Sequence, residues 1–159
     1  MTSFIPFEML TSLDFDFSSA LTMDSICWHG QKLGFTRNGD ILTVKFPTSL
    51  VQRDSLTFYY QGVPTSSGFG SFETNTHGNG TPVLWTLSEP YGAKEWMPCK
   101  QSLTDKIDSV DIFITHPMGY RAASNGVLQS EVSENGKVTS HWKHRYPIAT
   151  YLICFAITN

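Results

Sequence analysis

The chain has 159 residues, enough for one domain with a buried core. It is 40% apolar and 16% charged with a formal net charge of -3, too apolar for a disordered chain, and its 11 Lys and Arg residues form no basic run that would release counterions from a phosphate backbone, which argues against nucleic acid. The longest apolar run, Tyr151 to Ile157, is far short of the about 20 residues needed to cross a hydrocarbon core, so no membrane span is expected.

Met1 to Leu10 lacks the basic and unbroken apolar regions of a secretory signal. That leaves the compartment open, a secreted or periplasmic parent included. Leu13, Phe15 and Phe17 then alternate with Asp14 and Asp16 at the strand period, and between Phe35 and Val44 the dipeptide Asn38-Gly39 separates two strand-like runs, the favoured chemistry of a tight hairpin. Leu56, Phe58 and Tyr60 predict a further strand. The segment from Gly62 to Pro82 is rich in Gly, Ser, Thr and Asn and reads as a surface loop pinned by Phe69 and Phe72. Leu103 to Ser109 has the nearest approach to a helical period and is too short for more than one or two turns. Val110, Ile112 and Ile114 alternate as a strand. Asn125-Gly126 and Asn135-Gly136 repeat the hairpin signal, the second joining a strand around Val127 to Val132 to one around Lys137 to His144. Ala149 to Thr158 closes the chain as an apolar run suited to a strand buried on both faces. These elements predict an all-β fold, a sandwich or open curved antiparallel sheets, in a single domain over residues 1–159.

Catalytic motifs are missing: there is no HExxH, GxSxG or GxxxxGK[ST]. Cys27, Cys99 and Cys154 form no CxxC pair and no metal-ligand spacing, so buried thiols are expected, with one disulfide open. His141 and His144 are an odd number of residues apart on a predicted strand and should face opposite sides, as hydrogen-bonded rather than metal-binding residues. Asn79-Gly80-Thr81 matches a glycosylation acceptor, disfavoured by Pro82. Trp28, Trp85, Trp96 and Trp142 fit either an exposed platform for sugars or a partner, or the core, and the core is favoured because three of them fall in strand-like runs. Glu89 follows a predicted strand and precedes a proline, where the backbone is restricted. It reads as a presented ligand-binding carboxylate, as a solvated turn residue, or as a partner for Lys94 or Arg121.

The stretch Glu89-Pro90-Tyr91-Gly92-Ala93-Lys94-Glu95-Trp96-Met97-Pro98-Cys99, running on to Lys106, resembles the N-terminal domain of M1-family zinc aminopeptidases. Ser124-Asn125-Gly126 and Tyr146-Pro147-Ile148-Ala149-Thr150-Tyr151-Leu152 extend the resemblance in order from about Val83 to Asn159. It implies a saddle-shaped all-β domain ahead of a zinc-bearing catalytic domain that is absent here, so the chain is expected to be a non-catalytic fragment of a longer metallopeptidase, holding no metal of its own. The implied partners are a peptide substrate and the catalytic domain of the same parent chain. Glu89 matches the glutamate that holds the substrate's free α-amino group, and its loop is expected at the seam with the catalytic domain, leaving Tyr91 and Trp96 exposed. Leu87 stands where many members have glutamine, Gln101 and Ser102 replace an acidic pair, and Leu103 replaces a proline. Cys99 and Lys106 match the family pattern as structural residues. The competing reading is a stand-alone β-sandwich binding module for carbohydrate or protein.

Overall fold

The computed structural model describes residues 1–66 and 70–159. The described chain is built of antiparallel strands and two short 3-10 turns, as the alternating pattern predicts, and it divides into two compact units.

The first unit comprises residues 1–65 with 94–100. Its strands are β1 (Thr2–Phe4), β2 (Leu10–Asp16), β3 (Thr22–Trp28), β4 (Gln31–Leu33), β5 (Phe35–Asn38), β6 (Ile41–Leu50) and β7 (Asp54–Gln61). They form two sheets, in the orders β1-β7-β3-β4 and β2-β6-β5. Alternation along β6 sends Leu42, Val44 and Phe46 inward, and these meet Phe15 of β2 together with Met23 and Ile26 of β3 and Leu56 of β7, so the two sheets share one core. Edge-on ring pairs Phe15 with Phe58 (4.8 Å) and Phe17 with Tyr60 (5.1 Å) cross that core. Fully burying a side chain such as Leu42 is worth about 1.5–3 kcal/mol.

The β5–β6 hairpin turns one residue later than Asn38-Gly39 suggests. Asn38 pairs with Ile41, so the loop is Gly39-Asp40, with a positive φ at Gly39 only. The segment from Lys94 to Lys100 is stitched to this unit. Asp16 and Cys99 exchange both backbone hydrogen bonds (2.8 and 3.0 Å), the Ser18 N–H donates to the Lys94 carbonyl (2.9 Å), and the Tyr60 hydroxyl donates to the Trp96 carbonyl (3.0 Å).

The second unit comprises residues 66–93 with 101–159. It holds β8 (Phe72–His77), β9 (Thr81–Thr86), β10 (Val110–Pro117), β11 (Arg121–Ser124), β12 (Val127–Glu134), β13 (Lys137–His144) and β14 (Phe155–Thr158). The sheet orders are β11-β14-β9-β8 and β10-β13-β12. Ile114, His116 and Ser140 lie on the buried face of the three-stranded sheet, where the Ser140 hydroxyl links His116 Nε2 (3.3 Å) to Glu131 Oε1 (3.0 Å).

Three expectations change here. Part of the expected Gly62 to Pro82 loop is the β8–β9 hairpin; Phe72 contacts Phe155 edge-on at 6.1 Å, and Phe69 lies outside the described residues. β8 reads Phe-Glu-Thr-Asn-Thr-His at a sheet edge, so it carries no apolar alternation and little strand propensity. Asn125-Gly126 is no hairpin: it carries the chain from β11, paired with β14, to β12, paired with β13. The final strand is short, because a 3-10 turn over Thr150–Leu152 precedes β14, whose four residues are all half-buried. Residues 103–109 form turns, as their length predicts. Asn135-Gly136 closes its hairpin as predicted, with Glu134 opposite Lys137 and both turn residues at positive φ.

Candidate functional site

One end of the four-stranded sheet of the second unit gathers the residues around Glu89. Thr86 ends β9 and its hydroxyl accepts the Phe155 N–H (3.1 Å), so the chain leaves the sheet beside the start of β14. The Leu87 N–H donates to the Ser71 carbonyl (3.2 Å), and the Gly92 N–H donates to the Ser88 carbonyl (2.8 Å), closing a turn over Glu89, Pro90 and Tyr91. Ser71 is 0% exposed and Ser88 is 1% exposed. A β-carbon on Gly92 would stand 2.1 Å from Ser71 Oγ and 3.2 Å from Ser88 Cα, so the base of the turn packs against Ser71 with no room for a side chain. Above that base Glu89 is exposed, and its peptide bond to Pro90 is cis. Among the described residues the Glu89 carboxylate has no hydrogen-bond or ion-pair partner. The backbone is anchored while the acid group is open to a ligand.

The alternative partner Lys94 is engaged elsewhere: its ammonium donates to Asp40 Oδ2 at 2.5 Å. That hydrogen bond, with one from the Ser19 backbone, holds the Asp40 carboxyl below its ordinary range, and Asp40 in turn pushes Lys94 up. Arg121, on β11, is exposed. Tyr91 is exposed (56%), as expected of the loop, but Trp96 is half-buried, because its segment is tied down through the Tyr60 hydrogen bond. Leu87 beside the site is exposed (45%). The contact of Ser88 and Gly92 with Ser71 has no signal in the sequence, since it joins positions far apart along the chain.

None of the tryptophans is exposed; all four are half-buried, with Trp28, Trp85 and Trp142 in β3, β9 and β13. The Trp28 indole donates to Asp54 Oδ2 (2.8 Å), and its ring stacks on His29. A sugar platform built on these rings finds no support. His141 and His144 behave as hydrogen-bonded or packed residues: His141 meets Asp111 Oδ1 (2.7 Å) and stacks on Phe113, while His144 packs edge-on against Tyr146. Cys27, Cys99 and Cys154 are free thiols, Cys99 buried and the others half-buried. Among the described residues no three His, Cys, Asp or Glu side chains converge to hold a metal ion. This donor set does not fit a zinc site.

Concave regions of the chain lie elsewhere, one lined by Thr115, Val132, Glu134 and Lys137 and one by Leu33, Phe35 and Phe46. Glu89 is exposed to solvent.

Comparison with known proteins points to one family. Glutamyl aminopeptidase of Homo sapiens is 33% identical over 105 residues, and that of Mus musculus 32% over 106; each match covers 64% of this chain and 11% of the relative. The chain therefore spans about a tenth of the length of these relatives. Among solved structures, an M1 zinc metallopeptidase from Deinococcus radiodurans superposes with a TM-score of 0.86 at 22% identity, over 98% of this chain and 36% of that one. A mutant of that enzyme bound to a Tyr-Ser-Ala substrate gives a TM-score of 0.84 at 21% identity. At these identities the structural match speaks for the fold. The family match is the deciding one: with residues 9–152 matching the Peptidase M1 N-terminal domain, the chain belongs to the M1 peptidase N-terminal domain family.

Proposed function

We propose that this chain is the non-catalytic N-terminal domain of a longer M1 zinc aminopeptidase, and that Glu89 receives the free α-amino group of the peptide substrate. The observation that carries the reading is the Glu89 turn, anchored on Ser71 and Ser88 while its carboxylate has no partner among the described residues. A carboxylate fixed in this way accepts hydrogen bonds from an ammonium and pairs with its charge. A peptide with a blocked N-terminus offers no such donor and leaves the carboxylate unpaired as the site is desolvated, which is the discrimination an exopeptidase needs. The open surface around Glu89 calls for a second wall, and the catalytic domain of the parent, bearing the zinc, supplies it in this reading. The exposure of Leu87 and Tyr91 supports a seam here.

The test is steady-state kinetics of the full-length parent on a free-amine substrate. Removing one member of a desolvated charge pair costs about 2–5 kcal/mol, so Glu89→Ala is expected to lower kcat/KM by roughly 30-fold to several thousand-fold. Glu89→Gln keeps one acceptor and should lose less. Both variants should unfold at the wild-type temperature, since Glu89 makes no contact that holds the turn. Wild-type kcat/KM in a folded Glu89→Ala enzyme returns Glu89 to the role of a solvated turn residue.

A further inference from the structure

Strand β12 differs from every other strand of the chain: all eight of its residues, Val127 to Glu134, are exposed, on both faces of the sheet. It is the outer strand of β10-β13-β12, so one row of its backbone N–H and C=O groups has no strand to pair with among the described residues. Edges of this length are ordinarily blunted by proline, by lysine or by a charge projecting over them. β12 has neither proline nor lysine. Of its two acids, Glu131 turns inward and accepts the Ser140 hydroxyl at 3.0 Å, while Glu134, at the hairpin end opposite Lys137, is exposed. The outer face of the strand centres on Val132, 59% exposed.

The order of residues beyond the bulge at 128/130 is self-complementary. From the pairing with β13, Ser130, Val132 and Glu134 share the outer face, and Glu131 and Ser133 the inner one. A second β12 laid antiparallel across a two-fold axis through Val132 puts Val132 against Val132, Glu131 against Ser133 and Ser130 against Glu134. Every pair then joins residues of the same face, and no two like charges stand opposite each other. A shift of one residue toward the N-terminus places Glu131 against Glu131, so charge repulsion excludes that register.

We propose that β12 is a self-association edge, through which two copies of this chain pair antiparallel about Val132 and join their three-stranded sheets into one of six strands. The interface is isologous and small, and the dimer is correspondingly weak and dependent on concentration. It is distinct from the Glu89 face, whose exposed ring is Tyr91.

Sedimentation equilibrium of the 159-residue chain over the micromolar to submillimolar range tests the proposal. Wild-type chain should rise with concentration toward twice the 17.8 kDa mass of one chain. Val132→Lys puts two ammonium groups on the axis and should weaken association by about 10-fold or more, whereas Ser130→Lys meets Glu134 of the second copy at two symmetric positions and should tighten it by roughly 2- to 30-fold. Tyr91→Ser should leave association unchanged. Circular dichroism and thermal unfolding confirm that each exposed-site variant keeps its fold. A wild-type chain that stays monomeric throughout overturns the proposal. So does association lost in Tyr91→Ser but kept in Val132→Lys, which assigns self-association to the Glu89 face, and so does weaker association in Ser130→Lys, which breaks the register.

Discussion

Alanine at two glycines separates what a turn demands of the backbone from what close packing demands. Gly126 and Gly136 both have positive φ, 89° and 75°. A β-carbon at Gly136 meets open space, whereas one at Gly126 would stand 2.1 Å from the Lys143 carbonyl oxygen, 2.4 Å from its carbon and 2.7 Å from the His144 nitrogen. These are backbone atoms at the end of the central strand, where Lys143 pairs with both Asp111 and Val127, so no side-chain rotation relieves the overlap. Gly136→Ala should therefore cost only the left-handed strain, about 1 kcal/mol. Gly126→Ala carries the same strain plus an overpacking cost of about 3 kcal/mol, a total near the lower end of the 5–15 kcal/mol by which whole domains are stable. In Tm this is a loss of roughly 2–4 °C for Gly136→Ala against roughly 8–16 °C for Gly126→Ala. Urea unfolding followed by circular dichroism measures both, with the slope checked for constancy so that midpoints can be compared. Equal losses for the two variants would refute the assignment of Gly126 to close approach and leave only its φ to explain it.

Asn125 holds the same passage from the side: its Oδ1 accepts the Cys154 N–H (2.7 Å) and its Nδ2 donates to the Leu152 carbonyl (2.9 Å), so Asn125→Ala should cost about 2–3 kcal/mol, read as a lowered urea midpoint. The Asp40–Lys94 pair makes stability depend on pH at both ends. Because the Asp40 carboxyl is lowered by the Lys94 hydrogen bond, its contribution is complete above its ordinary value of 3.8 and is lost as pH falls from there through the lowered one; because Lys94 is raised by Asp40, its contribution is complete below 10.5 and is lost as pH rises through the raised value. Asp40→Asn should flatten both limbs of the Tm against pH curve. Burial, then the neighbouring Asp16 charge, pushes the Cys99 thiol up to about 12, so at mildly alkaline pH a thiol reagent should label the half-buried Cys27 and Cys154 in the native chain well before Cys99, with mass spectrometry of the peptides as the check.

The strands whose one face is buried were legible in the sequence. Period-two alternation at Phe15, at Leu42 and Val44, at Leu56 and at Ile114 follows from the pleat itself, and each lies in a strand, or pairs across one, as the pattern requires. Asn135-Gly136 was equally legible, because a two-residue hairpin needs positive φ at both central positions and that need is local. Glu89 was singled out by its neighbours in the chain and by resemblance; the anchoring of its turn on Ser71 was not visible, because burial of Ser71 depends on residues distant in sequence.

Asn125-Gly126 shows where the local rule stops. It is the same dipeptide as Asn135-Gly136, yet its glycine is required by the passing backbone of Lys143 and its asparagine by the free groups of Leu152 and Cys154. Nothing within a few residues distinguishes the two; only the choice of partner strands does. The same holds for β8, a polar strand paired by its backbone; for the segment from Lys94 to Lys100, which joins the first unit through Asp16; and for β12, which the fold leaves as an open edge. Sequence by itself determined the all-β class and the buried-face strands, because dihedral preference and the pleat are properties of a residue and its neighbours. Tertiary structure decided which strands are neighbours, which glycine is crowded and which edge stays unpaired, because those outcomes depend on backbone groups brought together from across the chain.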